Sequence, residues 1–338
     1  MKNRICVIFT GGTIGSSVRN DTVDLDRTNA SLLINEYKKH YGESITFDRL
    51  YPVDMLSENV QQSDLEKIAD CIKNVDCSLY DGIIVTHGTD TLCFTANCFS
   101  QMFCGFELPV VLVSASYPLD DERSNGLSNF AGAVTFISEA HTSGVFVSFT
   151  NPNEKCKIHL ASRLTDAEQV GGRFDSLLGL CFGTVENGAF VRNPDSRNPE
   201  TEELNAVKKN GRDLKLCNDI VTIKARALLD FTFYTFEKIR PKAVILKLYH
   251  SGTICTVGED TNAVSFIKHC RDLGIEVILS PVASKANVYA GMKNITDNCI
   301  KAYDMSFEMT VAKVMLALGS GIPVKQMLDE NNFFEKIS

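Results

Sequence analysis

Two short stretches hold residues able to do chemistry: "TGGTIG", Thr10 to Gly15, and "HGTDT", His87 to Thr91. In the first, Gly11, Gly12 and Gly15 let the backbone turn sharply and come close to a ligand. Thr13 presents a hydroxyl there, a candidate nucleophile. The glycine intervals do not match G-x-G-x-x-G, and no Gly-Lys-Ser/Thr follows, which argues against a phosphate cradle. In the second stretch Gly88 permits a tight turn and Thr89 offers a hydroxyl. Asp90 offers a carboxylate that can grip an amine or orient a partner group. His87 suggests a triad, but a histidine so close in sequence points differently from Thr89 at a strand end. A packed, hydrogen-bonded ring is the better expectation. The other five of the six histidines lie in unrelated contexts, and no metal site is expected.

Both stretches follow apolar runs. "ICVIFT" precedes the first and "DGIIVT" the second, and each reads as a buried strand. Between them a helix is predicted over Asn29 to His40, with Leu32, Leu33 and Tyr37 on one side. "ITFDRLYPV" is predicted as a strand. A helix over Ser63 to Val75 would bury Leu65, Ile68, Ala69 and Ile72, with Ser63 and Glu66 spaced as a capping box. Beyond the second stretch come a helix over Thr91 to Phe103, the strand "PVVLVSA", a helix over Ser124 to Ala140 and the strand "GVFVSFT". Strands alternating with helices at this rhythm imply βαβ units and a parallel sheet. Such sheets bind ligands beyond the carboxyl ends of their strands, at a switch point, and both stretches sit at strand ends of that kind.

From Asn193 to Asp213 the chain turns polar, with two prolines and no apolar periodicity. That marks a candidate linker. "KAVILKLY", a helix over Asn262 to Asp272, "IEVILS" and a helix over Ser306 to Leu318 then form a second, smaller α/β unit. The expected division is 1–192, a linker over 193–220, and 221–338. "YHSGTIC" reads as an ordinary strand-end loop, with a partner-subunit or effector contact through His250, Ser251 and Thr253 as the other possibility.

The 338 residues suit two domains rather than one core. A net charge of −8 and a pI near 5.4 would repel a phosphate backbone, so no nucleic-acid partner is expected. The twelve cysteines show no CxxC pair and no zinc spacing, and read as small buried hydrophobes of a reducing compartment. No apolar run reaches the roughly 20 residues of a membrane span and no signal peptide precedes the first strand, so a cytoplasmic location without membrane attachment is expected.

Taken together, "TGGTIG" and "HGTDT" resemble the asparaginase family of the bacterial type, in its cytoplasmic form. That family hydrolyses L-asparagine and sometimes L-glutamine. "DMLSENV", Asp54 to Val60, is similar to its substrate loop, and "PVVLVSASYPLDDERSNGLSNFAGAV" to the strand and helix that follow. The resemblance runs over nearly the whole chain. It implies a larger N-terminal flavodoxin-like α/β domain, a smaller C-terminal α/β domain, a homodimer or homotetramer whose neighbouring subunit completes the site, and no cofactor. It implies Thr13 as the nucleophile that forms a β-aspartyl ester, with Thr89 acting on the proton path or the water. It implies Asp90 as holder of the substrate ammonium, with Gly12, Ser57, Glu58, Gly88 and Ser116 among the substrate-binding residues.

Two departures stand out. The family places a lysine after an Arg-x-Thr segment. Here "ASRLTDAEQV" puts Asp166 there, which cannot do the work of an ammonium. Lys155 and Lys157 are the nearby cations that could stand in. The family also carries a tyrosine on a mobile loop after the first threonine, and "SSVRNDTVDLDRT" has none, leaving Ser16, Ser17 and Thr22 as hydroxyl donors. The expected activity is hydrolysis of the side-chain amide of asparagine or a related amide. The alternative is a non-catalytic amino-acid binder or regulator on the same scaffold. The tRNA-dependent amidotransferase component of this fold carries an extra N-terminal domain and is the weaker expectation.

Overall fold

The computed structural model describes residues 2–11, 16–19, 22–25, 28–209, 211–285, 289, 292–296 and 299–337. The chain divides into two compact units, Met1–Gly211 with Asn332–Phe334, and Arg212–Asn331 with Glu335–Ser338.

The first unit runs β1 (Arg4–Ile8), a hairpin of β2 (Ser16–Arg19) and β3 (Thr22–Leu25), α1 (Thr28–Tyr41), β4 (Thr46–Leu50), α2 (Gln62–Lys73), β5 (Gly82–Thr86), α3 (Leu92–Met102) and β6 (Pro109–Val113). It continues with α4 (Gly126–Ala140), β7 (Gly144–Thr150), β8 (Cys156–Leu160), β9 (Gly183–Glu186), β10 (Ala189–Arg192) and α5 (Thr201–Ala206). Eight strands pair in the order β10-β9-β8-β7-β6-β5-β1-β4. The five from β4 to β7 are parallel, and β8 to β10 extend the sheet antiparallel. Counted along the chain, the parallel part has the order 2-1-3-4-5 of flavodoxin-like sheets, whose switch point lies between the strands here labelled β1 and β5. The central strands are apolar on both faces because helices cover both. β5 and β6 are buried at every residue.

The helices follow their apolar periodicity with two corrections. α2 buries Leu65, Ile68, Ala69 and Ile72 as expected, but its cap is not Ser63 and Glu66. The helix begins at Gln62, one residue earlier than read, and its cap is Gln61, whose backbone N–H donates to Asp64. α1 buries Leu33, Ile34 and Tyr37, while Leu32 is exposed. Tyr37 lies three residues from Ile34 and four from Leu33, which is one helical face.

The expected linker is divided. Residues 193–211 belong to the first unit and contain α5, whose single apolar residue facing inward, Leu204, is fully buried. One leucine in a polar stretch leaves no period to read. Residues 332–334 also belong to this unit: Phe333 joins its core, Ser162 Oγ donates to Phe333 O at 2.6 Å, and Arg163 Nε donates to Phe334 O at 2.6 Å.

The second unit runs β11 (Ile220–Lys224), β12 (Ala243–Lys247), α6 (Ala263–Asp272), β13 (Glu276–Val282), α7 (Lys293–Thr296), β14 (Ile300–Tyr303), α8 (Phe307–Ser320) and α9 (Val324–Asp329). Its four strands are parallel in the order β11-β12-β13-β14. α8 starts where Ser306 Oγ accepts the Met309 N–H at 3.0 Å and stops at Gly321, which takes the left-handed conformation at φ +67°. "YHSGTIC" closes a turn on itself, with Tyr249 N–H bonded to Thr253 O at 3.0 Å and the Ser251 and Thr253 hydroxyls 2.9 Å apart.

Inside this unit Lys313 and Glu335 form an ion pair with both side chains fully buried, and Lys313 Nζ also donates to Glu330 O at 2.7 Å. Removing one partner strands a charge in the core. Lys313→Met should lower stability to chemical denaturation by about 3–5 kcal/mol, and combining it with Glu335→Leu should recover most of that loss.

Candidate active site

The end of β1 and the end of β5 are tied together. The Thr10 N–H donates to Thr86 Oγ1 at 3.2 Å, and Thr10 Oγ1 donates to Thr86 O at 2.6 Å, both groups fully buried. The next residue, Gly11, has φ +92°, a left-handed turn that suits glycine. Gly11 also bridges Met55, whose N–H donates to Thr10 O at 3.0 Å. Thr10 and Gly11 are thereby held between the end of β5 and Met55. Gly12 and Thr13 lie outside the described residues, as do the side chains of Ser16, Ser17 and Thr22.

At the end of β5, Gly88 meets Ser57. A Cβ on Gly88 would stand 2.3 Å from Ser57 Oγ, so no side chain fits. Ser57, 3% exposed, donates through Oγ to Asp90 Oδ2 at 3.1 Å and accepts the Asp90 N–H at 3.2 Å. Thr91 Oγ1 donates to Ser57 O at 3.0 Å. Ser57 and Asp90 are therefore hydrogen-bonded to each other, with Gly88 in close contact with Ser57, at the N-terminal end of α3. Thr89 is half-buried, and Asp90 and Glu58 are exposed. Accessible carboxylates can receive an ammonium, and N–H groups at a helix N-terminus can receive a carboxylate.

Ser116 is exposed at the tip that follows β6, the neighbour of β5. Its N–H donates to Asn125 Oδ1 at 2.8 Å, and its hydroxyl accepts from Asn125 Nδ2 at 3.3 Å. The neighbouring Ser114 hydroxyl is buried and finds no hydrogen-bond partner among the described residues.

His87 is fully buried and faces away from this chemistry. Its Nδ1 lies 2.8 Å from Gly88 O and its Nε2 lies 3.0 Å from Thr95 Oγ1. A carbonyl only accepts, so Nδ1 carries the proton and Nε2 takes the threonine hydroxyl. Burial pushes its pKa down and keeps the ring neutral.

The segment bearing Asp166 packs on α3. Leu164 O accepts from Cys93 Sγ at 3.2 Å and from Asn97 Nδ2 at 3.1 Å. Thr165 donates through both N–H and Oγ1 to Asp175 O, each at 3.0 Å. Asp166 is exposed. Both substitute lysines are engaged elsewhere, Lys155 with Glu186 at 2.7 Å and Lys157 with Glu154 at 2.8 Å. All twelve cysteines are free thiols, and burial pushes Cys6 and Cys270 up to about 12, far from a reactive thiolate. Among the described residues no three His, Cys, Asp or Glu side chains gather as a metal site, and no helix is long and apolar enough to cross a membrane.

Thr10, Thr86, Thr91, Asn125 and Asn129 were missing from the sequence reading of the site. The Asn pair in "NGLSN", one helical turn apart, was the readable signal for two of them.

Three comparisons bear on this site. A family model described as "Asparaginase, N-terminal" matches residues 4–186. The L-asparaginase of Thermococcus kodakarensis is 35% identical over 244 residues, covering 71% of this chain and 70% of that protein. A glutamyl-tRNA(Gln) amidotransferase subunit from Aeropyrum pernix is 26% identical over 361 residues, covering 100% of this chain and 80% of that protein. The chain spans 45% of the corresponding amidotransferase subunit from Methanopyrus kandleri. Among solved structures, the thermostable L-asparaginase from Thermococcus kodakarensis superposes with a TM-score of 0.81 at 22% identity, covering 99% of each chain. At that identity the superposition speaks for the fold.

One buried ring near the Asp166 segment gives a pH signature. His159 bonds Ser176 Oγ at 2.8 Å through Nδ1, its Nε2 has no partner among the described residues, and burial lowers its pKa from 6.5 to about 4. A lowered base means that the unfolded state binds the proton first. The contribution of His159 is complete above about pH 6.5 and is lost as pH falls towards about 4, by roughly 3 kcal/mol. Urea denaturation of wild type and His159→Gln at pH 7.5 and 5 should show a steeper acid loss in the wild type.

Proposed function

The chain belongs to the asparaginase family, and from that premise we propose that it is an amidohydrolase that cleaves the side-chain amide of L-asparagine or a related amide to the acid and ammonia. Thr13 Oγ attacks the amide carbon and its proton passes to the departing nitrogen. Ammonia leaves, and a β-aspartyl ester joins substrate to Thr13. Water then adds to the ester carbon, and the acid departs as the hydroxyl is restored. Thr89 serves the proton path or the water. Asp90 and Glu58 hold the substrate ammonium, Ser57 the α-carboxylate, and backbone N–H groups at the glycine-rich ends stabilise the oxyanion. Gly12 and Gly88 allow the close approach, and Ser116 lines the far side.

The single observation that carries this reading is the Ser57–Asp90 pair pressed against Gly88 at the β1/β5 switch point, beside the chain that leads into Thr13. The same reading takes the protein as a cytoplasmic homodimer or homotetramer acting on a small amino acid, without a cofactor, a nucleic-acid partner or a membrane.

A second reading, an amino-acid binder with little or no turnover, draws on Asp166 and on the two lysines already paired with acids. A third, a component of an amidotransferase, draws on the full-length similarity to the Aeropyrum pernix protein.

Thr13→Ala should abolish ammonia release from asparagine while leaving aspartate binding measurable by calorimetry. Unchanged release would remove Thr13 from the mechanism. Asp166→Lys should raise turnover by at least tenfold, since one activating group commonly contributes about 10²–10⁴-fold. A lysine variant no faster than wild type would mean that the activation comes from elsewhere in the chain.

A further inference from the structure

The β6–β7 ladder ends at Val113 and Ser148. Beyond it the two strand ends are joined by side chains of α4 and its cap rather than by each other. Asn129 Nδ2 donates to Ser114 O at 2.7 Å, and Asn129 Oδ1 accepts the Thr150 N–H at 2.7 Å. One turn earlier, Asn125 Oδ1 accepts the Ser116 N–H at 2.8 Å and Asn125 Nδ2 donates to Thr150 O at 2.8 Å and to Ser116 Oγ at 3.3 Å. Two amides, one helical turn apart, thus replace a ladder and hold the strand ends to the helix.

We infer that Asn125 is a positioning residue that fixes the Ser116 tip as one wall of the substrate site. An amide suits the task because a single planar group supplies an acceptor to the Ser116 N–H and a donor to Thr150 O. Asn129 is fully buried and holds the base of the tip, whereas Asn125 is half-buried and holds its end. Ser116 lies beyond the last β6–β7 pair and its N–H is held by Asn125, so loss of the Asn125 amide loosens Ser116, while Ser124 Oγ still holds Tyr117 O at 2.9 Å. The inference rests on the amidohydrolase reading, in which Ser116 touches the substrate.

The test uses the full chain with Asn125→Ala and Asn125→Asp. Asn125→Ala should raise KM for asparagine about 10–100-fold, the range for a binding group displaced by about an ångström, with kcat changed much less. Amide hydrogen exchange should quicken at Ser116 and its neighbours while α2 and β5 stay protected. Asn125→Asp keeps the acceptor for the Ser116 N–H but loses the donor to Thr150 O, and should recover only part of the KM. If wild type binds without turnover, the Kd for aspartate replaces KM in each comparison. A purely structural role would lower kcat in step with the folded fraction and leave KM unaltered, and that result overturns the assignment while the amidohydrolase reading stands. A wild type that neither hydrolyses nor binds asparagine or aspartate removes both.

Discussion

Thr10 and Thr86 exchange hydrogen bonds where the β1–β5 ladder runs out, and the geometry of the candidate site follows from that contact. Both residues are fully buried, so every polar group there must find a partner inside the protein. The threonine hydroxyls complete the pairing that the strands can no longer provide. The chain must then leave in two directions: through Gly11 and its positive φ on one side, and through Gly88 against Ser57 on the other. A switch point opens a crevice because the successive crossovers depart to opposite faces of the sheet.

Asp90 and Glu58 are accessible, Asp166 is accessible on a segment that packs on the same helix, and Lys155 and Lys157 are held by Glu186 and Glu154. Family membership gives the class of chemistry, while the similar proteins bear two names, asparaginase and amidotransferase. The difference between binding and turnover therefore turns on activation of the hydroxyl, a matter of one or two groups and not of the scaffold.

Several buried polar groups find their partners inside the scaffold. His87 locks Gly88 O to Thr95, Arg163 donates to Phe334 O, Asn198 Oδ1 and Arg197 O, and Lys313 meets Glu335. Each is favourable only while its partners are present. His87 illustrates how a residue inside a chemistry-bearing motif serves to hold the motif's backbone rather than to act in it.

What the sequence alone determined is whatever depends on neighbours within a few residues. The apolar runs marked β1, β5, β6, β7, β12 and β13, the three-four spacing marked α2, and the glycine-threonine clusters marked the strand ends where a site would lie. The place of Leu32 and Ile34 on α1, the cap of α2, the order within the polar stretch around Leu204 and the antiparallel strands β8 to β10 were not legible. Short or polar segments have too few apolar residues to show a period. Only the tertiary structure decided that Ser57 meets Asp90, 33 residues away, that Thr10 meets Thr86, 76 residues away, and that Asn125 reaches Thr150. Those contacts depend on which strands lie side by side, and strand order arises from packing of the whole sheet, not from any stretch of chain.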